Sequence, residues 1–286
     1  MRAPYRRAME IFAQHAQVAL TMLAMTGAVF GVLALLVKRK EIGAALLRVR
    51  GEFTTNLALL LFNLVLFGPL FAVPEGLIRD HLVAVPALGT FWDGLNEFLV
   101  LIAAILIYDF VVYWRHRLEH HPLLWPIHAT HHADTALHWL SVHRKHPLSK
   151  LLSVIVDVWL LFLLGVPEWA IAGAAFLRSW WGFFIHADLP WTLGVFGRVL
   201  ISPAAHRLHH IRDEALMGSN YGNTVTLWDK LFGTYVDPAP YLECETGIAE
   251  GTRGFLGELG RPFERRYWQR RGTGENDVRL EQPTGT

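Results

Sequence analysis

Cysteine and charge are what this chain has least of. Cys244 is the one cysteine in 286 residues, so no intramolecular disulfide can form and no cysteine cluster can hold a metal. Only 18% of the residues are charged, against about 25% in soluble domains. The formal net charge of +1 leaves no basic excess of the kind nucleic acid binding requires. Neither a CxxC-type cluster nor a nucleotide-binding glycine fingerprint is present. What fills the space is apolar: 52% of the chain is hydrophobic, with eleven tryptophans, as expected of an integral membrane protein with aromatic belts at the two interfaces.

Five apolar runs predict the spans. Val18–Val37 is uncharged and about the ~20 residues needed to cross a bilayer. It is too long for the apolar core of a leader and has no small-residue cleavage site before Lys38. Leu57–Val73 is the second run, with Pro69 expected to kink it. Phe98–Trp114 is the third and carries one acid, Asp109. Leu151–Val166 and Trp169–Ile185 are short and read as a shallow hairpin joined by Pro167 and Glu168. Lys38, Arg39, Lys40, Arg48 and Arg50 follow the first run, whereas Arg79 stands alone between the second and third. The positive-inside rule then puts the first of these loops in the cytoplasm. The chain divides by this reading into a membrane-spanning region at 1–94, a catalytic region at 95–245 and a polar tail at 246–286, frayed from Arg265 onward.

Against this background histidine is abundant. Six of the seventeen residues from His116 to His132 are histidine. His116 and His120 are four apart, one helical turn on one face. His128, His131 and His132 stand at i, i+3 and i+4, and His206, His209 and His210 repeat that spacing. Pro126 and the Ser202-Pro203 pair mark where the helices bearing the two triplets start. Imidazole is a ligand for iron, zinc, copper and nickel. Eight imidazoles on three helical faces exceed the four that one tetrahedral ion takes and suit two metals. Loose metal capture by a disordered histidine tract predicts irregular clusters instead. A zinc protease needs HExxH, and Glu119 is one residue early for it. His15 and His81, alone in their surroundings, read as interfacial or packing residues.

The stretches DFVVYWRHRLEH, HATHH, HRKHP, FIHADLP, SPAAHRLHH and NYGNTVTLWDKLFGTY, in order from Asp109 to Tyr235, resemble the fatty acid hydroxylase and sterol desaturase superfamily of membrane di-iron enzymes. The resemblance implies an all-α integral membrane bundle with a histidine-rich helical cap on the cytoplasmic side, holding a di-metal centre. It implies metal ligands at His116, His120, His128, His131, His132, His186, His206, His209 and His210. His146, in the element Arg144 to Pro147, is implied as a ligand or as a residue behind the ligands. Chemistry adds Asp109, with Asp188 and Asp229 as weaker candidates, to hold the outer N–H of a ligating imidazole. Asn220, Tyr221 and Trp228 are expected to pack beneath the site, and His121, His138 and His143 carry no assigned role.

The activity so implied uses two iron ions, replaceable by zinc, to activate O₂ and attack a C–H bond of a membrane lipid. Hydroxylation is the leading outcome and desaturation the alternative. A metal-binding membrane protein without catalysis and a zinc-dependent membrane hydrolase are the rival classes. The substrate is expected to enter an apolar cavity from the bilayer. Electrons are expected from a separate donor, a ferredoxin or a cytochrome, docking near Arg115, Arg117, Arg144 and Lys145.

Overall fold

A computed structural model describes residues 2–67 and 86–269. Among them the protein is all-helical, with no strand beyond two isolated bridges, Leu200 to Val225 and Ile211 to Thr246. Helix α1 (Arg2–Lys38) turns back through Arg39–Glu41 into α2 (Ile42–Phe62), which runs on into a π-helical turn, Asn63–Phe67. After the short α3 (Pro86–Asp93) comes α4 (Glu97–Glu119), started by Asn96, whose side chain accepts from Phe98 N. Then follow α5 (Trp125–His132), α6 (Pro147–Val156), α7 (Trp159–Leu163), α8 (Glu168–His186) and α9 (Pro203–His209). Short helices α10 (Glu214–Met217), α11 (Leu227–Leu231), α12 (Phe255–Gly260) and α13 (Arg265–Gln269) complete the chain.

Two helical stretches are long and apolar enough to cross a membrane, Ala19–Val65 and Glu97–Glu119. The first contains the expected span Val18–Val37 almost whole, and Val29, Val32, Leu35 and Leu36 are each at least half exposed. Such a bare apolar face suits lipid and not water. The third expected span falls on α4; the second begins in the last turns of α2 and runs through Asn63–Phe67, and its remainder with Pro69, like His81, lies outside the described residues. The expected run Leu151–Val166 is not one helix. It breaks after Val156, where the Asp157 carboxylate leaves the helix to bond Arg115.

Helices α4 and α8 form the central pair. Their contact is built of small residues: Ala104 on α4 meets Ala170 and Ala174 on α8, all fully buried. At Gly173 a Cβ would come within 3.1 Å of Leu101 Cδ1. Small residues let backbones approach, and this close packing holds helices together where lipid removes the hydrophobic drive. Helix α1 docks on α8 and on the 3-10 turn Trp139–His143 through Phe30, whose ring lies 6.3 Å from those of Trp139 and Phe183.

Residues 246–269 do not form a free tail. Ile248 and Tyr267 join Ala129, Ala133 and Leu208 in the core beneath α5 and α9. Glu258 and Arg261 are fully buried, and Glu258 accepts from both Arg261 and Arg144. The sequence signal for a tail was polarity, but these charges are turned inward and paired. Residues 270–286, the rest of the expected tail, lie outside the described residues.

Candidate metal centre

The three histidine groups, far apart in sequence, meet at one end of the α4–α8 pair. His116, near the end of α4, and His120, its C-cap, join His128 and His132 of α5 and His209 of α9, with one ligand atom from each within 4.8 Å of the others. His131 of α5, His186 at the end of α8, and His206 and His210 of α9 form a second group by the same measure. Helices α5 and α9 each feed both groups, which is why each carries a triplet and not a pair. The groups touch where the His132 and His210 rings stack, centroids 4.4 Å apart.

The helix starts that set these faces are the ones expected. Ser202 caps α9 by accepting from Ala205 N at 3.0 Å, with Pro203 in the first turn. Pro126 occupies the first turn of α5.

The outer ring nitrogens fix the tautomers. His116 Nδ1 donates to Tyr221 O at 2.9 Å, His209 Nδ1 to Ser219 O at 2.7 Å, His186 Nδ1 to Gly182 O at 2.7 Å and His131 Nδ1 to Arg144 O at 3.3 Å. With the proton on Nδ1, each Nε2 presents a lone pair. Yet His116 Nε2 and His209 Nε2 stand 2.9 Å apart, and His131 Nε2 and His186 Nε2 stand 3.5 Å apart. Two lone pairs cannot hydrogen-bond to one another, so both contacts call for a cation between them. Two nitrogens each bonded at about 2.1 Å to one ion lie about 3 Å apart. The donor set therefore fits a metal in each group.

Protonation does not supply that cation. Burial, followed by the mutual repulsion of neighbouring imidazoles, pushes His128, His131, His132, His206 and His210 well below the ordinary histidine range. Burial takes His209 down to about 4. At neutral pH these rings are uncharged, the form in which an imidazole can bind a metal. Five ring nitrogens of the two groups, among them His120 Nε2 and His206 Nδ1, are buried with no partner.

The loop of residues 219–236 supplies two of the carbonyls, and it is itself clamped. Asn220 sits at φ +50, a region Asn tolerates better than most residues, and its amide donates to Ala205 O and Val236 O. Asp229 accepts from Tyr221 N, Gly222 N and Thr234 Oγ1 at 2.7, 2.8 and 2.7 Å. Burial raises the Asp229 carboxyl to about 6, against the pull of those three donors. Glycine is required at 222, where a Cβ would lie 2.5 Å from Val225 O. Asp229 thus acts one step behind the position expected for it: it holds the loop whose carbonyls hold His116 and His209.

Three expectations are corrected. Asp109 does not bond a histidine. It pairs with Arg178 and accepts from Thr224 N at 3.0 Å and Val225 N at 3.2 Å, tying α4 to α8 and to the turn after Gly222. Asp188 meets Lys38, Arg48 and Arg207 and joins the α1–α2 hairpin to the end of α8. His146 is outside both groups. Its Nδ1 accepts from Leu148 N as the N-cap of α6, and its Nε2 donates to Leu259 O at 3.2 Å, so neither nitrogen is left for a metal. Of the histidines without an assigned role, His121 is exposed, His138 bonds Ser141 Oγ at 2.7 Å, and His143 packs on Phe183.

Removing the Asp109 charge, Asp109→Asn, is expected to leave Arg178 buried without its anion and to lower thermal stability by about 3–5 kcal/mol. The double variant Asp109→Leu with Arg178→Met is expected to regain most of that loss, since an apolar pair can replace a buried ion pair. Melting curves in detergent, with metal content measured alongside, decide the matter. A double variant that stays unstable and metal-poor would link Asp109 to the metals after all.

Sequence reasoning missed Glu52, Glu258 and the carbonyl partners. Arg144, fully buried, donates to Thr130 O, Glu52, Asn56, Thr252 and Glu258, and its own carbonyl takes the His131 proton. Backbone carbonyls carry no residue signature. Glu52 and Glu258, 206 positions apart in the sequence, had no local pattern linking them.

A cavity of ≈ 400 Å³ reaches His116 and His128 of one group and His131, His186 and His206 of the other. Val112, Val142 and Phe183 line part of it, but so do Arg115, Glu119, Lys145, Lys150, Asp157 and Arg178. The expected wholly apolar cavity is therefore half right. The expected donor dock changes too: Arg115 and Arg144 are buried and Lys145 faces the cavity, which leaves Arg117, packed over Trp114.

The fold and site define an all-helical protein with two stretches long and apolar enough to cross a membrane and with buried histidine clusters suited to metal. Residues 101–234 match the fatty acid hydroxylase family. It is 32% identical over 194 residues to ornithine lipid hydroxylase OlsE of Rhizobium tropici, covering 64% of this chain and 57% of that protein. It is 30% identical over 137 residues to human alkylglycerol monooxygenase, covering 46% of this chain and 30% of that protein. A probable Delta(7)-sterol 5(6)-desaturase of Neurospora crassa is 30% identical over 140 residues, 47% of this chain and 37% of its own length. The chain thus spans just over half of the first relative and about a third of the others. No solved structure matches it.

Proposed function

We propose that this protein is an O₂-dependent di-iron hydroxylase acting on a C–H bond of a membrane lipid, fatty acyl, sterol or related. The observation that carries this reading is the pair of Nε2 contacts, His116 to His209 and His131 to His186, in which lone pairs converge across a gap sized for an ion. The activities of the relatives, lipid hydroxylation and sterol desaturation, support an oxidoreductase of lipids. Desaturation is the second reading, favoured by the sterol desaturase among them.

In this reading His116, His120, His128, His132 and His209 hold one iron, and His131, His186, His206 and His210 hold the other, with zinc able to replace either. When bound, the irons supply O₂ activation and the oxidising power to break an unactivated C–H bond. The chain's own part is positional. The carbonyls of Tyr221, Ser219, Arg144 and Gly182 hold four imidazoles in one tautomer and make them more basic. Val112, Val142 and Phe183 exclude water from the cavity wall that faces the substrate. Residues 95–245 form the catalytic region, on which residues 246–269 pack. The positive-inside count supports a cytoplasmic site, reached by a separate ferredoxin or cytochrome.

The test is elemental analysis of protein reconstituted anaerobically with ferrous iron, followed by O₂ uptake and lipid mass spectrometry with a reductant. Two irons per chain, O₂ consumption and a product gaining one oxygen atom are expected. A product losing two hydrogens selects desaturation. One metal or none in folded protein, or lipid hydrolysis without O₂ uptake, sinks the proposal.

A further inference from the structure

The charge lining the cavity has no use in the reading above. Its wall carries four cations, Arg115, Lys145, Lys150 and Arg178, and two carboxylates, Glu119 and Asp157. Both carboxylates are engaged by Arg115, with Nη1 2.5 Å from Glu119 and Nε 2.5 Å from Asp157. Arg178 is engaged by Asp109. The Lys145 ammonium takes no ion-pair or hydrogen-bond partner among the described residues. Lys145 lines the same cavity as His116 and His128 of one histidine group and His131, His186 and His206 of the other. The backbone that carries it is fixed: Asn63 Nδ2 donates to Lys145 O at 2.9 Å, and Arg144 beside it is locked in the buried network. The ligands are neutral imidazoles, so they offset none of this positive charge.

We propose that Lys145 binds an anionic group, carboxylate or phosphate, on the lipid substrate, so that the polar end lies at the histidine centre and the chain leaves outward. This rests on the reading of the centre as a lipid oxygenase. The way out is a second cavity of ≈ 350 Å³ that shares Tyr108, Lys150, Asp157 and Ala175 with the first. The rest of its wall is mostly apolar, with Val154 on α6, Val158, Phe162 on α7 and Ile171 and Ala172 on α8, beside Ser153 and Glu168. On α7 and α8, the helices that carry part of this wall, Leu163, Phe176 and Leu177 are exposed, a surface suited to acyl chains. The bond attacked is then near the polar end of the lipid, because Lys145 and His131 line the same cavity.

The test reads binding without turnover. Metal-loaded full-length protein in zwitterionic nanodiscs is titrated with cis-parinaric acid, a fluorescent fatty acid, and with its methyl ester. Lys145→Met is expected to weaken the acid about 10–100-fold, the loss of a charge-assisted hydrogen bond, and to leave the ester unchanged. Lys145→Arg is expected to restore the acid. Equal affinity of the acid for wild type and Lys145→Met overturns the proposal, as does equal loss of acid and ester with no rescue by arginine. Inorganic phosphate that displaces the acid as well as a second fatty acid does would make the ligand a free anion and overturn the lipid assignment. Wherever turnover is obtained, new oxygen in the far half of the chain overturns the orientation. Acid-selective binding without O₂ uptake would sink the oxygenase reading alone and leave the anion site standing.

Discussion

His209→Ala is expected to empty the metal group it serves and abolish turnover, with membrane insertion unchanged. His209 stands 2.9 Å from His116 Nε2, and its outer N–H is anchored on Ser219 O. Its loss removes a ligand and leaves a buried acceptor carbonyl unpaired. Loss of residues that merely orient ligands lowers affinity or activity about 10–100-fold, so loss of the ligand itself is expected to exceed that range. His131→Ala is expected to act likewise on the other group. Insertion is set by the apolar stretches Ala19–Val65 and Glu97–Glu119, which neither change touches. Metal content, turnover and membrane fractionation are read together. Alanine at His146, which caps α6 and touches neither group, is the control and should keep both metals. Full activity in His209→Ala would dismantle the assignment.

Glu258→Gln is expected to be the most destabilising change remote from the histidines. Glu258 is fully buried and accepts from Arg144, Arg261 and the Arg253 backbone. Without its charge, Arg144 keeps Glu52 as its anion, while Arg261 is left with the neutral acceptors Tyr267 Oη and Gly251 O. Removing one partner of a buried pair costs about 3–5 kcal/mol. The loss should also reach the metals, because the Arg144 carbonyl orients His131. The expected record is a lower melting temperature in detergent and less metal in the His131 group. The exposed pair Arg212–Glu245, at 3.7 Å, is the contrast: Glu245→Gln should not shift the melt, since water already screens that pair. Equal melts for the two variants would show that the buried network is not holding the site.

Much of the centre was legible because ligand helices write their faces into the sequence. The spacings of His128, His131 and His132 and of His206, His209 and His210 put three rings on one side of a short helix, and Pro126 and Ser202-Pro203 mark its start. Asp109 shows the limit. Its spacing from His116 placed it on the right face of α4, but that face meets α8, and Arg178 arrives there first. The broken run Leu151–Val166 fails for a similar reason. Hydropathy reads it as continuous, whereas the pull of Arg115 on Asp157 ends the helix.

The sequence by itself determined that the chain is apolar enough for a membrane, that its imidazoles lie on three helical faces, and that no thiol cluster can share their work. These are local properties, set by composition and by a period of 3.6 residues. Only the tertiary structure decided how the nine imidazoles divide into a group of five and a group of four, because each of α5 and α9 serves both and no spacing along one helix says which neighbour a ring will meet. It also decided that the outer N–H groups find backbone carbonyls, that Glu52 and Glu258 close on Arg144, and that Lys145 faces the cavity. Those are contacts between segments distant in the chain, and their partners are chosen by packing and by the need to pair every buried charge.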